Sequence, residues 1–296
     1  MNEAEFLAGL RALPIHPGAR GLLDDAAMVG GLVLTTDTLV EGVHFLPADP
    51  PGDIAWKLVA QNLSDLAAKG ARPEGVLLNY PLSGEKWDRA FLAGFGEALE
   101  RFGTPLIGGD TVALPAGAPR VLTLTAVGAD APAPPRSGAQ AGDALFVTGT
   151  IGNAGAGLAI AKGADGPAEL LAAYRRPLPR LAEGRALAPL VHAMCDVSDG
   201  LLLDAARIAA ASGLAVEIDV ERVPLSPALV AFAGRDPLAA ATAGDDYELL
   251  FAAPPGVALP VPATRIGRFA PGAGLSLHVD GAPVPLPARL GFLHGA

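Results

Sequence analysis

The chain has 296 residues, and its 21 lysines and arginines are outnumbered by 31 aspartates and glutamates, which gives a formal net charge of −10. This charge excludes a basic nucleic-acid-binding protein. Apolar residues make up 51% of the chain, so a folded core is expected, and the length is typical of two domains. Cys195 is the only cysteine, which excludes an intrachain disulfide, and no apolar run is long enough to span a membrane. We therefore expect a cytoplasmic protein with no membrane partner.

The first half of the chain alternates short apolar strands with amphipathic helices. Phe91, Phe95 and Phe102 recur at helical spacing, and Gly70 is placed to end the helix before them. The alternation VLTLTAV predicts a strand with one buried face. The expected strands are 31–37, 75–80, 104–107 and 120–127, and the expected helices are 53–69 and 85–102.

A stretch rich in alanine, proline and glycine at 131–143 separates the two halves, and we place the domain boundary there, giving domains 1–135 and 136–296. Neither half shows the regular strand-helix repeat of a doubly wound sheet, so the predicted class is α+β in two domains. In the second half we expect strands 144–148, 215–219, 247–251, 264–268 and 275–279, helices near Leu170 and at 181–190 and 201–211, and a hairpin turn at 280–281.

Aspartates gather at the ends of the apolar strands and in glycine-flanked turns. Carboxylates brought together in this way repel one another, so they must bind protons or cations. Magnesium prefers oxygen ligands and commonly completes its shell with substrate phosphates, which lets an acidic protein hold a nucleotide. The pattern therefore predicts a magnesium-dependent nucleotide site. The aspartates concerned are Asp24, Asp25, Asp37, Asp65, Asp110, Asp196, Asp199, Asp245 and Asp246.

Each of these acids also has a structural interpretation when taken alone. Asp199 could cap the helix that follows it, and Asp110 could be an ordinary turn residue. Asp65 is harder to explain in this way, because it shares one side of a predicted helix with Lys57. Asn62 points toward the apolar side of the same helix, so its amide must be hydrogen-bonded.

Three further features have two interpretations each. The glycine-rich run at 149–157 could bind phosphate at a helix N-terminus, or it could simply make a tight turn. Arg136 could bind a phosphate or be a solvated linker residue. His44 could bind a substrate anion or be a half-buried histidine bonded to backbone.

Seven motifs resemble those of the thiamine-monophosphate kinase family, in the same order and over nearly the whole chain. The segments TTDTLVEGVHF and NLSDLAAKGA separate this family from relatives with the same fold and ATP use, such as aminoimidazole ribonucleotide synthetase and selenophosphate synthetase. The motifs occupy 21–27, 35–45, 55–73, 106–111, 136–150, 196–200 and 244–248.

The resemblance implies ATP-dependent phosphorylation of thiamine monophosphate to thiamine diphosphate. It also implies a homodimer formed through the N-terminal sheet and an ATP cleft between the domains. The implied magnesium ligands are Asp25, Thr35, Thr36, Asp37, Asp65, Asp110, Asp196 and Asp199, of which Asp65, Asp110 and Asp199 are the implied catalytic residues. The implied ATP contacts are Gly109, Asp110, Arg136 and Ser198, and the implied thiamine-phosphate contacts are His44, Asp245 and Phe292.

The sequence departs from the family pattern at two of these motifs. Leu23 stands where the family usually has glycine, and Asp245 stands where it usually has glutamate. The alternatives to a kinase are a related enzyme that activates an oxygen with ATP, and a nucleotide sensor without turnover.

Overall fold

The computed structural model describes residues 3–293. The N-terminal part forms a five-stranded sheet in the order β1-β2-β5-β3-β4, in which β3 and β4 are parallel and the other pairs antiparallel. Its elements are α1 (Glu3–Arg11), β1 (Ala27–Val29), β2 (Leu32–Val40), α2 (Pro51–Ala68), β3 (Arg72–Leu82), α3 (Glu85–Phe102), β4 (Leu106–Ala113) and β5 (Val121–Ala129).

The two faces of this sheet have different surroundings. The alternation along β5 turns Leu122 and Leu124 toward α2 and α3, where both are fully buried. The alternate positions on the other face leave Leu77 and Val121 exposed. The N-terminal sheet therefore has one face in the core and one open, partly apolar face.

The C-terminal part forms a seven-stranded sheet in the order β12-β11-β8-β10-β6-β9-β7. Its core joins residues of β6, β7, β8 and α7. The strands are β6 (Ala144–Val147), β7 (Ala193–Asp196), β8 (Ala215–Asp219), β9 (Leu249–Ala253), β10 (Thr264–Ala270), β11 (Gly274–Val279) and β12 (Ala282–Val284). The helices are α4 (Asn153–Ala161), α5 (Ala168–Arg175), α6 (Leu181–Leu187), α7 (Leu201–Ser212), α8 (Pro227–Ala233) and α9 (Pro237–Ala241).

Helix α2 lies between the two sheets. It packs against α3, β2 and β5 of the N-terminal part and against α6 and β7 of the C-terminal part. This position buries polar residues that a surface helix would expose to water, among them Lys57, Asn62 and Lys69, which follows the last helical residue. Within residues 3–293 no helix combines the length and the apolar character that a membrane crossing needs.

The α+β class with two sheets is as predicted, and the predicted helix 85–102 agrees with α3. The predicted strand 104–107 is wrong in its bounds, because β4 continues to Ala113. The IGGDT segment pairs with β3 instead of turning, and Gly109 has a φ of 149°, a conformation that favours glycine. Strands β1 and β7 and helices α1 and α9 were not predicted, since each is too short to give a clear period. The boundary after residue 135 stays a prediction.

The contact between α2 and α3 depends on two glycines. A Cβ on Gly94 would lie 2.3 Å from the Cα of Gly52, whereas a Cβ on Gly96 of the same helix would meet nothing within 4 Å. We expect Gly94→Ala to lower the free energy of unfolding by about 1–3 kcal/mol through overpacking. Gly96→Ala is the matched control and should raise it by about 0.5–1 kcal/mol through helix propensity. Urea denaturation measures both, and equal effects of the two variants would contradict this packing.

Candidate functional site

Four buried carboxylates meet where the two sheets face each other across α2. Asp25 precedes β1, Asp37 lies on β2, Asp65 on α2 and Asp196 at the end of β7. One carboxylate oxygen each from Asp25, Asp65 and Asp196 lie within 4.8 Å of one another. The fold thus gathers acids that are up to 171 residues apart in sequence, Asp25 and Asp196.

The electrostatics of the cluster are unfavourable without cations. Burial raises the pKa of Asp37 to about 6, with a further contribution from the charges of Asp25 and Asp199. Burial also raises the pKa values of Asp65 and Asp196 well above the ordinary value, and neighbouring carboxylates add to the effect. These three carboxylates are therefore harder to ionise than ordinary aspartates unless a cation binds them.

The pKa of Asp25 is shifted in the opposite direction. Its burial alone would raise its pKa, but the charges of Arg136 and Lys69 outweigh burial and lower it. Arg136 forms an ion pair with one oxygen of Asp25, and the Lys69 Nζ lies 2.6 Å from the other. The protein thus supplies its own cations at Asp25, while the other three acids share none of the ion pairs found among the described residues.

Hydrogen bonds fix the acids of β2 and α2 in place. The Thr35 hydroxyl donates to Asp65. The Asn62 side chain accepts from the backbone amide of Asp37 at 3.1 Å and donates to the carbonyl of Leu58 at 2.9 Å. The expectation that Asn62 must be hydrogen-bonded is confirmed, and its role is to lock β2 to α2 beside the cluster.

The loop after β7 carries Ser198 and Asp199 to the same place. The interpretation of Asp199 as a helix cap is wrong, because Gly200 occupies the N-cap position and the Asp204 carboxylate accepts from the amides of Ser198 and Asp199. Asp199 is paired instead with Arg207, at 2.5 Å. The side chain of Asp199 is therefore turned away from the helix amides and lines a cavity.

Two cavities meet at the carboxylates. The larger, about 700 Å³, is lined by Asp37, Asp65, Asp196, Ser198 and Asp199 together with Thr36, His44, Asp245 and Phe292. The smaller, about 480 Å³, shares the first five of these residues and adds Asp25, Arg136, Arg207, Arg11, Leu22 and Leu23. One side of the cluster is therefore open to a space that contains arginines, and the other to a space that contains the predicted acceptor contacts.

Asp245 is held at the edge of the larger cavity. The Nζ of Lys57 lies 2.7 Å from its Oδ2, and the Tyr247 hydroxyl donates to its Oδ1 at 3.0 Å. Lys57 also donates to the carbonyl of His44 at 3.2 Å and lies over the ring of Tyr174. His44 itself accepts from the amide of Val40 through Nδ1, so it is bonded to backbone and also lines the cavity.

Phe292 reaches the cavity from the far end of the described chain. Its backbone amide donates to the carbonyl of Asp199 at 2.8 Å, and the residue is 45% exposed.

In the glycine-rich run at 149–157, two backbone amides have a role other than phosphate binding. Gly152 and Ala154 both donate to the carboxylate of Asp246, so these two amides are already hydrogen-bonded within the protein.

Gly109 and Asp110 are not part of the cluster, and neither lines the two cavities. The β-sheet registers place Thr38, Thr123, Asn79 and Asp110 in one row across β2, β5, β3 and β4, on the open face of the sheet. At the usual strand spacing, Asp110 is about 14 Å from Thr38. Thr36 also lies on this open face, where it bonds with Thr125.

The sequence analysis did not identify the cations that surround these acids. Lys69 is expected only as the end of the helix 53–69, and neither Arg207 nor Asp204 stands out within the predicted helix 201–211. The available signal was the position of Lys69 immediately before the glycine that ends α2, four residues after Asp65. Only the fold brings Asp24 and Asp25 onto its ammonium group.

Comparison with known proteins places this fold in a family. The model of the AIR synthase related protein N-terminal domain matches residues 23–129, and that of the C-terminal domain matches residues 140–280. The chain therefore belongs to the AIR synthase related family, whose models describe an N-terminal and a C-terminal domain. In this chain an acidic cluster lies between the two sheets.

Individual relatives indicate a more specific group within this family. Thiamine-monophosphate kinase of Caulobacter vibrioides is 40% identical, over 94% of this chain and 86% of that protein. The enzyme of the same name from Escherichia coli K12 is 39% identical, over 93% and 92%. A solved structure described as AaThiL complexed with AMPPCP and TMP has a TM-score of 0.86 at 31% identity and covers 99% of this chain and 97% of that one. Within its family, the chain belongs with the thiamine-monophosphate kinases.

The residues present fit magnesium. The three clustered oxygens come from carboxylates, the ligand type that magnesium prefers, and the two members of this cluster with raised pKa values, Asp65 and Asp196, are those without a protein cation. Asp25, Asp37, Asp65 and Asp196 would hold it.

The raised pKa values predict how stability depends on pH without metal. The folded protein keeps protons on Asp37, Asp65 and Asp196 that the unfolded chain releases, so this stability is present at low pH and is lost as the pH rises through the folded pKa, about 6 for Asp37. In EDTA, we expect the melting temperature to fall between about pH 5 and pH 7.5.

Magnesium should reverse this trend, because it binds the ionised carboxylates and stabilises the folded state most at the upper end of the range. Calorimetry in EDTA and in magnesium at each pH measures the difference. A melting temperature that is independent of pH, or a magnesium effect of equal size at both ends, would contradict the assignment of these acids.

Proposed function

We propose that this chain phosphorylates thiamine monophosphate to thiamine diphosphate with ATP, in a reaction that requires magnesium. The observation that carries the proposal is the position of the carboxylate cluster between two cavities of different character. The donor belongs in the cavity with Arg136 and Arg207, and the acceptor in the cavity with His44, Asp245 and Phe292. The relatives named thiamine-monophosphate kinase support the choice of substrates.

The chemistry needs no general base. A phosphate monoester has its second pKa near 6, so the attacking oxygen of the acceptor is largely ionised at neutral pH. The obstacle is the repulsion between two phosphorylated anions, which positioning and charge neutralisation overcome. Magnesium held by Asp25, Asp37, Asp65 and Asp196 would supply the positive charge that neutralises the phosphate oxygens.

The residues of the chain have distinct tasks in this reaction. Asp25, Asp37, Asp65 and Asp196 would hold the cations at the junction of the cavities, with Asp199 beside them. On the donor side, Arg136 and Ser198 contact ATP. On the acceptor side, the ring of Phe292 packs on the thiamine, and Asp245 and His44 contact it from the opposite end. In-line transfer follows from the placement of donor and acceptor on opposite sides of the cluster.

Asp245 is one methylene shorter than the glutamate usual at this position. Lys57 contacts one oxygen of the Asp245 carboxylate and Tyr247 the other, and the Asp245 side chain remains 37% exposed. Its remaining lone pairs therefore face the cavity as a partly neutralised acceptor of hydrogen bonds. We propose that Asp245 accepts a hydrogen bond from a donor group of the thiamine.

The open face of the N-terminal sheet supports the homodimer. Thr36 and Asp110 both lie on this face, and Asp110 is too far from Thr36 to share an ion with it within one chain. A second copy packed on the same face would bring Asp110 of one subunit to Thr36 of the other, because a twofold interface uses the same surface on both sides. Asp110 and Gly109 would then serve the site of the partner.

The direct test of the function is incubation with magnesium, ATP and thiamine monophosphate, with unphosphorylated thiamine as the control acceptor. We expect thiamine diphosphate to form only from the monophosphate. Release of ADP with formylglycinamidine ribonucleotide in place of thiamine monophosphate would indicate the related synthetase instead. ATP binding with no product from any acceptor would indicate a sensor.

The role of Asp65 can be tested by substitution. We expect Asp65→Asn to lower kcat by about 10²-fold or more at saturating magnesium, the size typical of removing one preorganised electrostatic group. Asp53→Asn is the control, because Asp53 lies on the same helix but pairs with Arg176 away from the cluster. Steady-state kinetics of both variants decide the question, and turnover of Asp65→Asn near that of the wild type would exclude the proposed role.

The dimer proposal predicts complementation between two inactive variants. In a mixture of Asp65→Asn and Asp110→Asn subunits, each mixed dimer has one site with both carboxylates intact. We expect equal mixing to restore about a quarter of the wild-type activity, from random pairing in a twofold dimer. Refolding the two variants together, with each refolded alone as the control, gives the measurement. If Asp110 acted within its own chain, the mixture would stay inactive.

A further inference from the structure

Lys69 is a cation enclosed within the protein. Its side chain is completely buried, and its Nζ lies 2.5 Å from Oδ1 of Asp24 and 2.6 Å from Oδ2 of Asp25. It also donates to the carbonyls of Pro134 at 3.2 Å and Met194 at 3.0 Å. The ammonium group is thus surrounded by four oxygens from three separate segments of the chain, all-oxygen surroundings of the kind that a hard metal ion takes.

The charges around Lys69 divide the acidic site in two. Asp24 and Asp25 are contacted by three protein cations, since Arg20 pairs with Asp24 at 2.6 Å and Arg136 pairs with Asp25. Asp65 and Asp196, whose oxygens lie within 4.8 Å of an oxygen of Asp25, take part in none of the ion pairs among the described residues. One half of the site is therefore neutralised before any metal binds.

We propose that the ammonium of Lys69 is a built-in cation that occupies the position between Asp24 and Asp25, and that bound metal assembles only on the side of Asp65 and Asp196. This inference rests on the proposed magnesium-dependent function. In this arrangement Asp25 bridges the fixed cation and the exchangeable ones. Lys69 thereby sets how many divalent ions the site takes and positions Asp25 without contacting substrate.

The test counts Mn²⁺ ions bound to the full-length chain, by electron paramagnetic resonance of the free ion. We expect Lys69→Met to bind one more Mn²⁺ per chain than the wild type, because the vacated position between two carboxylates accepts a metal. Lys162→Met, at an exposed lysine after α4, should bind as many as the wild type. Lys69→Met combined with Asp24→Asn removes one charge of each sign and should return the count to that of the wild type.

An unchanged count in a folded Lys69→Met variant would overturn the inference, because Lys69 would then be only a structural tie. Should that variant fail to fold, wild-type crystals soaked in Mn²⁺ give an independent answer. Anomalous peaks beside Asp65 and Asp196 with none between Asp24 and Asp25 support the inference, and a peak between Asp24 and Asp25 with Lys69 displaced overturns it. Absence of Mn²⁺ from the wild-type cluster would instead overturn the proposed function, and this inference with it.

Discussion

The repulsion among buried carboxylates is the constraint on which the rest of this structure depends. Asp37, Asp65 and Asp196 are held together by the fold although their raised pKa values mean that the ionised forms are unfavourable there. A protein built only for stability would replace such a group with apolar residues of the same volume. In the proposed function, cations that arrive with the substrates would relieve this repulsion.

Helix α2 makes this arrangement possible. Because it is enclosed between the two sheets, it can carry Lys57, Asp65 and Lys69 into the interior from one continuous element. Each has a partner in a different part of the chain: Lys57 reaches Asp245, Thr35 donates to Asp65, and Lys69 reaches Asp24 and Asp25. The helix therefore fixes the distance between Asp245 at one end of the site and Asp24 and Asp25 at the other.

Much of the fold and part of the site could be predicted from the sequence. Periodicity identified α3 because Phe91, Phe95 and Phe102 repeat over about three turns, but it gave no sign of β7, whose four residues carry Asp196 into the cluster. The aspartates came into consideration because they lie at strand ends and in glycine-flanked turns, and the family resemblance then implied a role for most of them. Neither the pattern nor the resemblance identified Lys69 or Arg207, because which cation meets which carboxylate is decided by contacts between distant segments. The proposed role of Asp110 could not be derived from a single chain, because its partners on the open face of the sheet would come from a second copy.

The binding of ATP to an Asp196→Asn variant, with and without magnesium at alkaline pH, tests the central claim most directly, because a carboxyl group whose pKa is raised by burial is more fully ionised as the pH rises. If the acids act through cations, the substitution should strengthen ATP binding in EDTA, where it removes a repulsive charge, and weaken it in magnesium, where it removes a ligand. Isothermal titration calorimetry of the variant and the wild type in both buffers gives the four affinities. A change in the same direction in both buffers, or wild-type binding of ATP that EDTA leaves unaltered, would contradict the account.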